Sequence, residues 1–431
     1  MPVEVAFFDA DVTVPLGHSL CGGWIKPALK IATPLRGLGF VLRGDEPPVV
    51  VLALDWCGVS NEAHLRMREI LAQAADTTHE RVALHTVHQH NAPFLDVAAC
   101  HEIARHPELP PICDLGWWEN ITGKLAERLR HSLRQRAKLT HISFGQAKVE
   151  QVASNRRILG PDGKIKYWRG SACRDERARA EPEGTIDPFL RTIIFWSNDR
   201  RLLTLHYYAT HPMSYYGDGV VNSDFVGMAR DRCAEEDRSP HIYFTGCAGN
   251  VAAGKYNDGS PDNRPRLAQR LYQAMRKAEQ DAERVAVDSY RWLTHQLFLP
   301  PRRQPDWDTL RAIIADRQQS IANRNRSALE LAYRLRAHKK IPLTLSRLIL
   351  HPDVSLLHLP AEAFVEYQLY AQSLVPKHFL ATAAYCDGGP WYIPLKRSFE
   401  EGGYEVTVAF AEPDSEAKLK EAIARLLQPH A

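Results

Sequence analysis

Two hydrophobic periods alternate along the chain. Helical spacing predicts helices over 61–75, 121–135, 263–278 and 415–427; in the first, Leu65, Ile70 and Leu71 are apolar behind an Asn/Glu start. β-branched and apolar runs predict strands over 47–55, 81–88, 142–149, 241–245 and 354–359. Residues 191–196 and 202–209 read as a hairpin turning at Asn198-Asp199. The rhythm over 47–88 is β-α-β, so a parallel strand pair is expected there. Residues 155–187 are rich in Gly, Pro and charge and predict a long surface excursion. Pro300-Pro301-Arg302-Arg303-Gln304-Pro305 reads as a linker into a helical, Arg- and Ala-rich stretch over 306–339. Its basic run predicts a solvated helical face. The alternation as a whole predicts an α/β fold of mixed sheets flanked by helices. Residues 1–431 are expected to form a single domain, with a helical basic insertion around 300–348.

Composition changes this picture little. Apolar residues make up 45% of the 431 and charged residues 24%, as in ordinary globular proteins. A net charge of +3 is too small to predict nucleic-acid binding. No run approaches the roughly 18–20 apolar residues of a membrane span. The N-terminus lacks the basic and apolar regions of a signal peptide. The eight cysteines are irregularly spaced without a CxxC pair, which favours free thiols in a reducing compartment. A cytoplasmic location is the expectation.

Candidate chemistry sits where predicted strands give way to loops. In a strand, positions i and i+2 share a face, so His88 and His90 of His88-Gln89-His90 are expected to face one pocket. Two imidazoles on one face make half a metal site, although two hydrogen-bonded structural histidines read equally well. His211 ends the apolar run 202–209 and precedes Pro212; alone it reads as a turn histidine. Asp224, a few residues on, is a candidate to orient a ligand histidine from behind. Glu362 follows the strand over 354–359, where a carboxylate is ordinarily a surface group or a helix N-terminal charge, but where it also supplies the oxygen donor zinc uses. The segments around Gly388-Gly389 and Gly402-Gly403 allow close backbone approach and flank Tyr392 and Tyr404.

In order and content these segments resemble the neutral ceramidase family, of the neutral/alkaline non-lysosomal type, across nearly the whole chain. Phe8 to Gly17 is similar to that family's opening D-I-T-P-P-x-G segment, and Val87 to Pro93 to its T-H-T-H-S-G-P. Asn155-Arg156-Arg157 is similar to its N-R-S; His211-Pro212-Met213-Ser214 with Asn222-Ser223-Asp224 and Gly227 resembles its second histidine block. Leu359-Pro360-Ala361-Glu362 resembles its P-G-E, and Tyr392 and Tyr404 have the spacing of two of its tyrosines. The resemblance implies a ceramidase-like catalytic-domain fold and a Zn2+ ion held by His88, His211, Glu362 and Tyr392. It implies that His90, Arg156 and Tyr404 act on the scissile group. Asn91 and Asn250 are expected to contact substrate.

Two departures limit what the resemblance implies. Gly249-Asn250-Val251-Ala252-Ala253-Gly254 stands where the family has G-D-V-S-P-N, so Ala252 replaces a serine. The family's C-terminal immunoglobulin-like domain has no counterpart after Tyr404. The expectation is therefore a zinc-dependent hydrolase cleaving an amide or ester bond of a non-sphingolipid small molecule by metal-activated water. The alternatives are a metal-binding, non-catalytic protein or a different zinc-assisted reaction on the same scaffold.

Overall fold

A computed structural model describes residues 1–428. Three mixed sheets carry the chain, and each has one parallel pair at or near an edge. The first runs in the order Val82–Thr86, Val49–Leu54, Arg36–Arg43, Glu4–Asp11, Ala137–Lys138. Its parallel pair, Val49–Leu54 with Val82–Thr86, is joined through helix Asn61–Ala75. The second runs His241–Thr245, Arg200–Tyr208, Phe189–Ser197, His141–Lys148, Glu283–Ala286. Its parallel pair, Arg200–Tyr208 with His241–Thr245, is joined through helix Asp224–Asp237. The third runs Arg291–Leu297, Leu343–His351, Val354–His358, Phe379–Ala383, with the last two strands parallel across helix Val365–Leu374.

These parallel edges converge. The Thr86 amide donates to the Tyr385 carbonyl at 3.0 Å, and the Ala384 amide donates to the Thr245 carbonyl at 2.9 Å. All six residues of Val49–Leu54 are buried, as a strand covered on both faces requires. Helix Asn61–Ala75 buries Ala63, Met67, Leu71 and Ala75, a four-residue stripe, and ends on Asp76 in the left-handed region. Asn198, with φ of 50°, makes the hairpin turn.

Several expectations are corrected. The strand expected over 81–88 stops at Thr86, and His88 has a left-handed φ of 77°. The helix expected from 121 starts at Leu115, because the Asp114 carboxylate accepts the Trp117 amide at 3.0 Å and caps it. Residues 155–187 are more than a surface excursion. They contain the paired strands Arg157–Leu159 and Ile165–Trp168, tied down by a buried Arg169 that donates to the carbonyls of Asn155, Ala178, Glu181 and Pro182.

The basic stretch forms helices Trp307–Ala315 and Ile321–His338, and the second is not a solvated face. Arg324, Arg334 and Arg336 are buried, each paired with a carboxylate: Glu108, Glu330 and Asp387 respectively. Charge on a helix can point inward when a buried acid awaits it. Among the described residues no helix is long and apolar enough to cross a membrane. All eight cysteines are buried and free.

The packing carries a pH prediction. Burial holds His64 and His85 down to about 4, against an ordinary value of 6.5. A histidine with a depressed folded-state value is neutral in both states above about 6.5; below that, only the unfolded chain takes up the proton. Stability is therefore lost as pH falls from about 6.5 to 4, on the order of 3 kcal/mol per histidine. Asp96, pushed up to about 7 by burial, has the opposite slope over the same range and offsets one of the two. Urea midpoints should drop between pH 7.5 and 4.5; a flat profile contradicts this reading.

Candidate metal centre

The loops leaving three parallel strands bring His88, His211 and Glu362 together. In open α/β sheets ligands gather beyond the carboxyl ends of strands. His88 follows Val82–Thr86, His211 follows Arg200–Tyr208, and Glu362 follows Val354–His358. Glu362 lies in a short strand paired in parallel with Tyr392–Ile393, with Glu362 in register with Tyr392. That pairing explains how two residues thirty positions apart share one site. Four non-glycine residues at the site, His88, Ala361, Tyr385 and Trp391, have φ between 57° and 77°. Such conformations cost of order 1–3 kcal/mol each and persist where surrounding structure imposes them.

The donor atoms are aimed. His88 Nδ1 donates to the Cys57 carbonyl at 2.6 Å, and His211 Nδ1 donates to the Ala248 carbonyl at 2.7 Å. Both Nε2 atoms are thereby turned towards Glu362 Oε2, at 3.3 Å and 3.1 Å. Zinc bonds of about 2.0–2.2 Å in a tetrahedron place neighbouring donors roughly 3.3 Å apart. Backbone carbonyls behind both imidazoles fix the tautomer that leaves Nε2 bare. The residues present fit a zinc ion.

Electrostatics agree. Burial opposes ionisation of Glu362, yet His88 and His211 hold its carboxyl well below the usual range. Burial lowers His211 and His90, favouring the neutral rings that metals require. Tyr392 Oη lies 3.4 Å from His211 Nε2, at the edge of the set, and burial raises its phenol well above the ordinary value. An overlapping set, Cys57 with His88 and His90, also clusters. Cys57 is raised well above its ordinary value by its pairing with the Cys21 thiol and by burial. The Glu362 set is already ionised.

His90 is beside this centre, its Nε2 3.3 Å from His88 Nε2, even though the two do not share a strand. Its Nδ1 is buried without a partner. Arg156 reaches in from the other side: one guanidinium nitrogen is 3.4 Å from His211 Nε2 and 3.1 Å from Tyr392 Oη. It is held by aromatic faces of Trp168, Tyr392 and Tyr404, 4.8 to 5.9 Å away, and by Glu405 at 3.3 Å. Burial disfavours its charge, but Tyr392 and Glu405 raise its value above the ordinary one. Tyr404 packs against Tyr392 with ring centres 5.9 Å apart and stays 38% exposed, which puts it at the mouth.

Three of the expected site residues bond to the protein itself. Asp224 touches neither ligand histidine; it accepts the Ser214 and Phe225 amides and steadies the loop after His211. Asn91 bonds at both ends to the 217–218 loop. Asn250 accepts the Val365 amide and donates to Glu366, bracing the segment after Glu362. Both amides are spent on protein partners that shape the site.

Other residues were not singled out from sequence. Tyr385 stacks on His88 with ring centres 4.5 Å apart and has an unpartnered buried hydroxyl. Glu405, fully buried, accepts from Arg157, accepts from the Trp168 indole and pairs with Arg156. Neither lies in a motif with metal-ligand spacing, so local pattern carried no signal for them.

Fold and site together define an α/β protein with a nitrogen–oxygen side-chain cluster at converging strand ends that could hold a metal ion. The chain is similar to neutral ceramidase from Pseudomonas aeruginosa, with a TM-score of 0.72 and 13% identity, over 99% of this chain and 74% of that one. It is equally similar to a ceramidase complexed with C2, with a TM-score of 0.72 and 14% identity, over 99% and 75%. No family model and no curated protein sequence matches the chain. The chain therefore has a neutral-ceramidase-like fold over almost its whole length, as its motifs resemble.

Proposed function

We propose that the protein is a zinc-dependent hydrolase that cleaves an amide or ester bond of a small acylated molecule. The observation that carries this reading is the convergence of His88 Nε2, His211 Nε2 and an ionised Glu362 oxygen within 4.8 Å of one another. His88, His211 and Glu362 would hold the ion, with Tyr392 as the fourth donor. When bound, zinc supplies Lewis acidity, enough to bring the ionisation of water from 15.7 to about 7.

The remaining roles belong to the chain's own side chains. His90, neutral and with Nδ1 unpartnered, accepts a proton from the attacking water and returns it to the leaving amine or alcohol. Arg156, fixed by Glu405 and three aromatic rings, presents positive charge where the carbonyl oxygen gains negative charge. Tyr404 stands at the mouth and donates its hydroxyl to substrate. Ala252 is buried in a short strand opposite Ser154, whose hydroxyl is spent on the Ala252 carbonyl at 2.9 Å; position 252 itself offers no hydroxyl, and the proposed nucleophile is water. The expectation of a substrate other than a sphingolipid comes from the sequence departures alone, of which this alanine is one.

Chelator-stripped protein should be inactive on a panel of N-acyl amino acids, esters, lactones and short-chain ceramide, and regain turnover with one substrate class when zinc is restored. Zinc-loaded protein inert on the whole panel contradicts the hydrolase reading; turnover of ceramide alone contradicts the substrate class. Arg156→Met should keep zinc and lower kcat by about 10²–10³-fold, the usual loss for one oxyanion donor. Unchanged kcat removes Arg156 from the reaction.

A further inference from the structure

We propose a second metal site, structural and of zinc type, formed by His206, Cys233, His241 and Glu279. It lies between strands Arg200–Tyr208 and His241–Thr245 and helices Asp224–Asp237 and Asn263–Gln280. One donor atom from each of the four residues falls within 4.8 Å of the others. Imidazole, thiolate and carboxylate are all donor types zinc takes, and four protein donors with no open position make a closed, structural site.

Three of the four donors are backed by partners, and the fourth, the Cys233 thiol, has only the Met275 sulfur as a hydrogen-bond partner among the described residues, at 3.9 Å. His206 Nδ1 bonds Thr192 Oγ1 at 2.9 Å, and His241 Nε2 bonds Asp237 Oδ2 at 3.1 Å. The free ring nitrogens, His206 Nε2 and His241 Nδ1, then face each other at 2.9 Å. Arg201 and Arg276 both donate to Glu279 Oε2, at 2.9 Å and 3.2 Å. The other oxygen, Oε1, is buried without a partner on a side chain only 7% exposed. A hydrogen bond between the two histidines accounts for their own contact. It leaves Oε1 of a buried carboxylate unsatisfied, a cost of about 1–3 kcal/mol or more. A cation bonded by Oε1, the two ring nitrogens and the Cys233 sulfur satisfies all four.

The location gives the site a purpose. It clamps the two parallel strands of the second sheet to the helix that connects them and to helix Asn263–Gln280. His211 follows the first of those strands by three residues. The site therefore holds a strand whose end delivers a ligand to the first centre, without touching that centre.

Thiolate ligation makes the test specific. Full-length protein loaded with zinc chloride should bind two metals per chain by mass spectrometry of the digested protein. Loaded with cobalt chloride, it should show near-ultraviolet thiolate-to-cobalt charge-transfer absorption. His211→Ala should keep one metal and the band; Cys233→Ser should keep one metal and lose the band. Wild-type protein without the band, or with no metal, overturns the proposal whether or not the variants fold; one metal with the band counts against the first centre instead. A band that survives Cys233→Ser and disappears in Cys57→Ser also overturns it, because the thiolate would then belong to the first centre.

Discussion

Replacing His211 by Ala removes one zinc equivalent per chain and takes turnover below detection. His211 Nε2 is 3.1 Å from the Glu362 carboxylate, 3.4 Å from Tyr392 Oη and 3.4 Å from Arg156, so it sits at the centre of the donor set. Losing an outer partner of a metal ligand costs about 10–100-fold in affinity or activity, and losing the ligand itself costs more. Without the imidazole, an ion would have only two strong donors, His88 and Glu362. Asp224→Asn is the informative control. Asp224 braces the loop through the Ser214 amide and does not touch His211, so this variant should keep its zinc. Zinc counts and initial rates on the same preparations decide the matter; a His211→Ala protein with unchanged metal and turnover refutes the assignment.

Arg336→Met is expected to lower stability by about 3–5 kcal/mol, the usual cost of leaving one member of a buried ion pair alone. Arg336 bonds the Asp387 carboxylate and the Ile341 and Pro342 carbonyls, and both members of the pair are buried. Asp387 also accepts the Asn61 and Gly389 amides, at 2.9 Å and 3.1 Å. It therefore anchors the turn from which Trp391 and Tyr392 enter the site. Arg336 holds the Asp387 carboxyl below its ordinary value against the effect of burial, so losing Arg336 leaves that burial uncompensated. Adding Asp387→Asn should recover part of the loss. Urea denaturation of the single and double variants measures this directly; a single variant within about 0.5 kcal/mol of wild type, the usual range for surface substitutions, would return Arg336 to the solvated face its sequence suggests.

Local signals were legible in the sequence, and long-range ones were not. Helices Asn61–Ala75 and Ser415–Leu427 and strand His241–Thr245 have the bounds their periodicity and flanking residues predict. Asn198 marks its hairpin for the same reason: a turn residue acts on its own backbone. The burial of Arg336 depends on Asp387, 51 residues away, and no local pattern records that pairing. The same limit divides the site. His88, His211 and Glu362 each stand just past a strand, where functional groups are expected. That His88 and His90 meet owes nothing to strand alternation, because the strand ends at Thr86 and a left-handed His88 turns the chain. Asp224, Asn91 and Asn250 carry the right chemistry, but their side chains brace loops, a distinction only packing decides. Glu405 and Tyr385 act on the site through buried contacts with Arg156 and His88, and they stand in no motif.

Anomalous diffraction from zinc-soaked crystals at the zinc absorption edge tests the central claim most directly. The expected result is a peak bonded to His88 Nε2, His211 Nε2 and a Glu362 oxygen at about 2.0–2.2 Å, with Tyr392 Oη completing the set. A peak on Cys57, His88 and His90 instead, or no peak between His211 and Glu362, would contradict it.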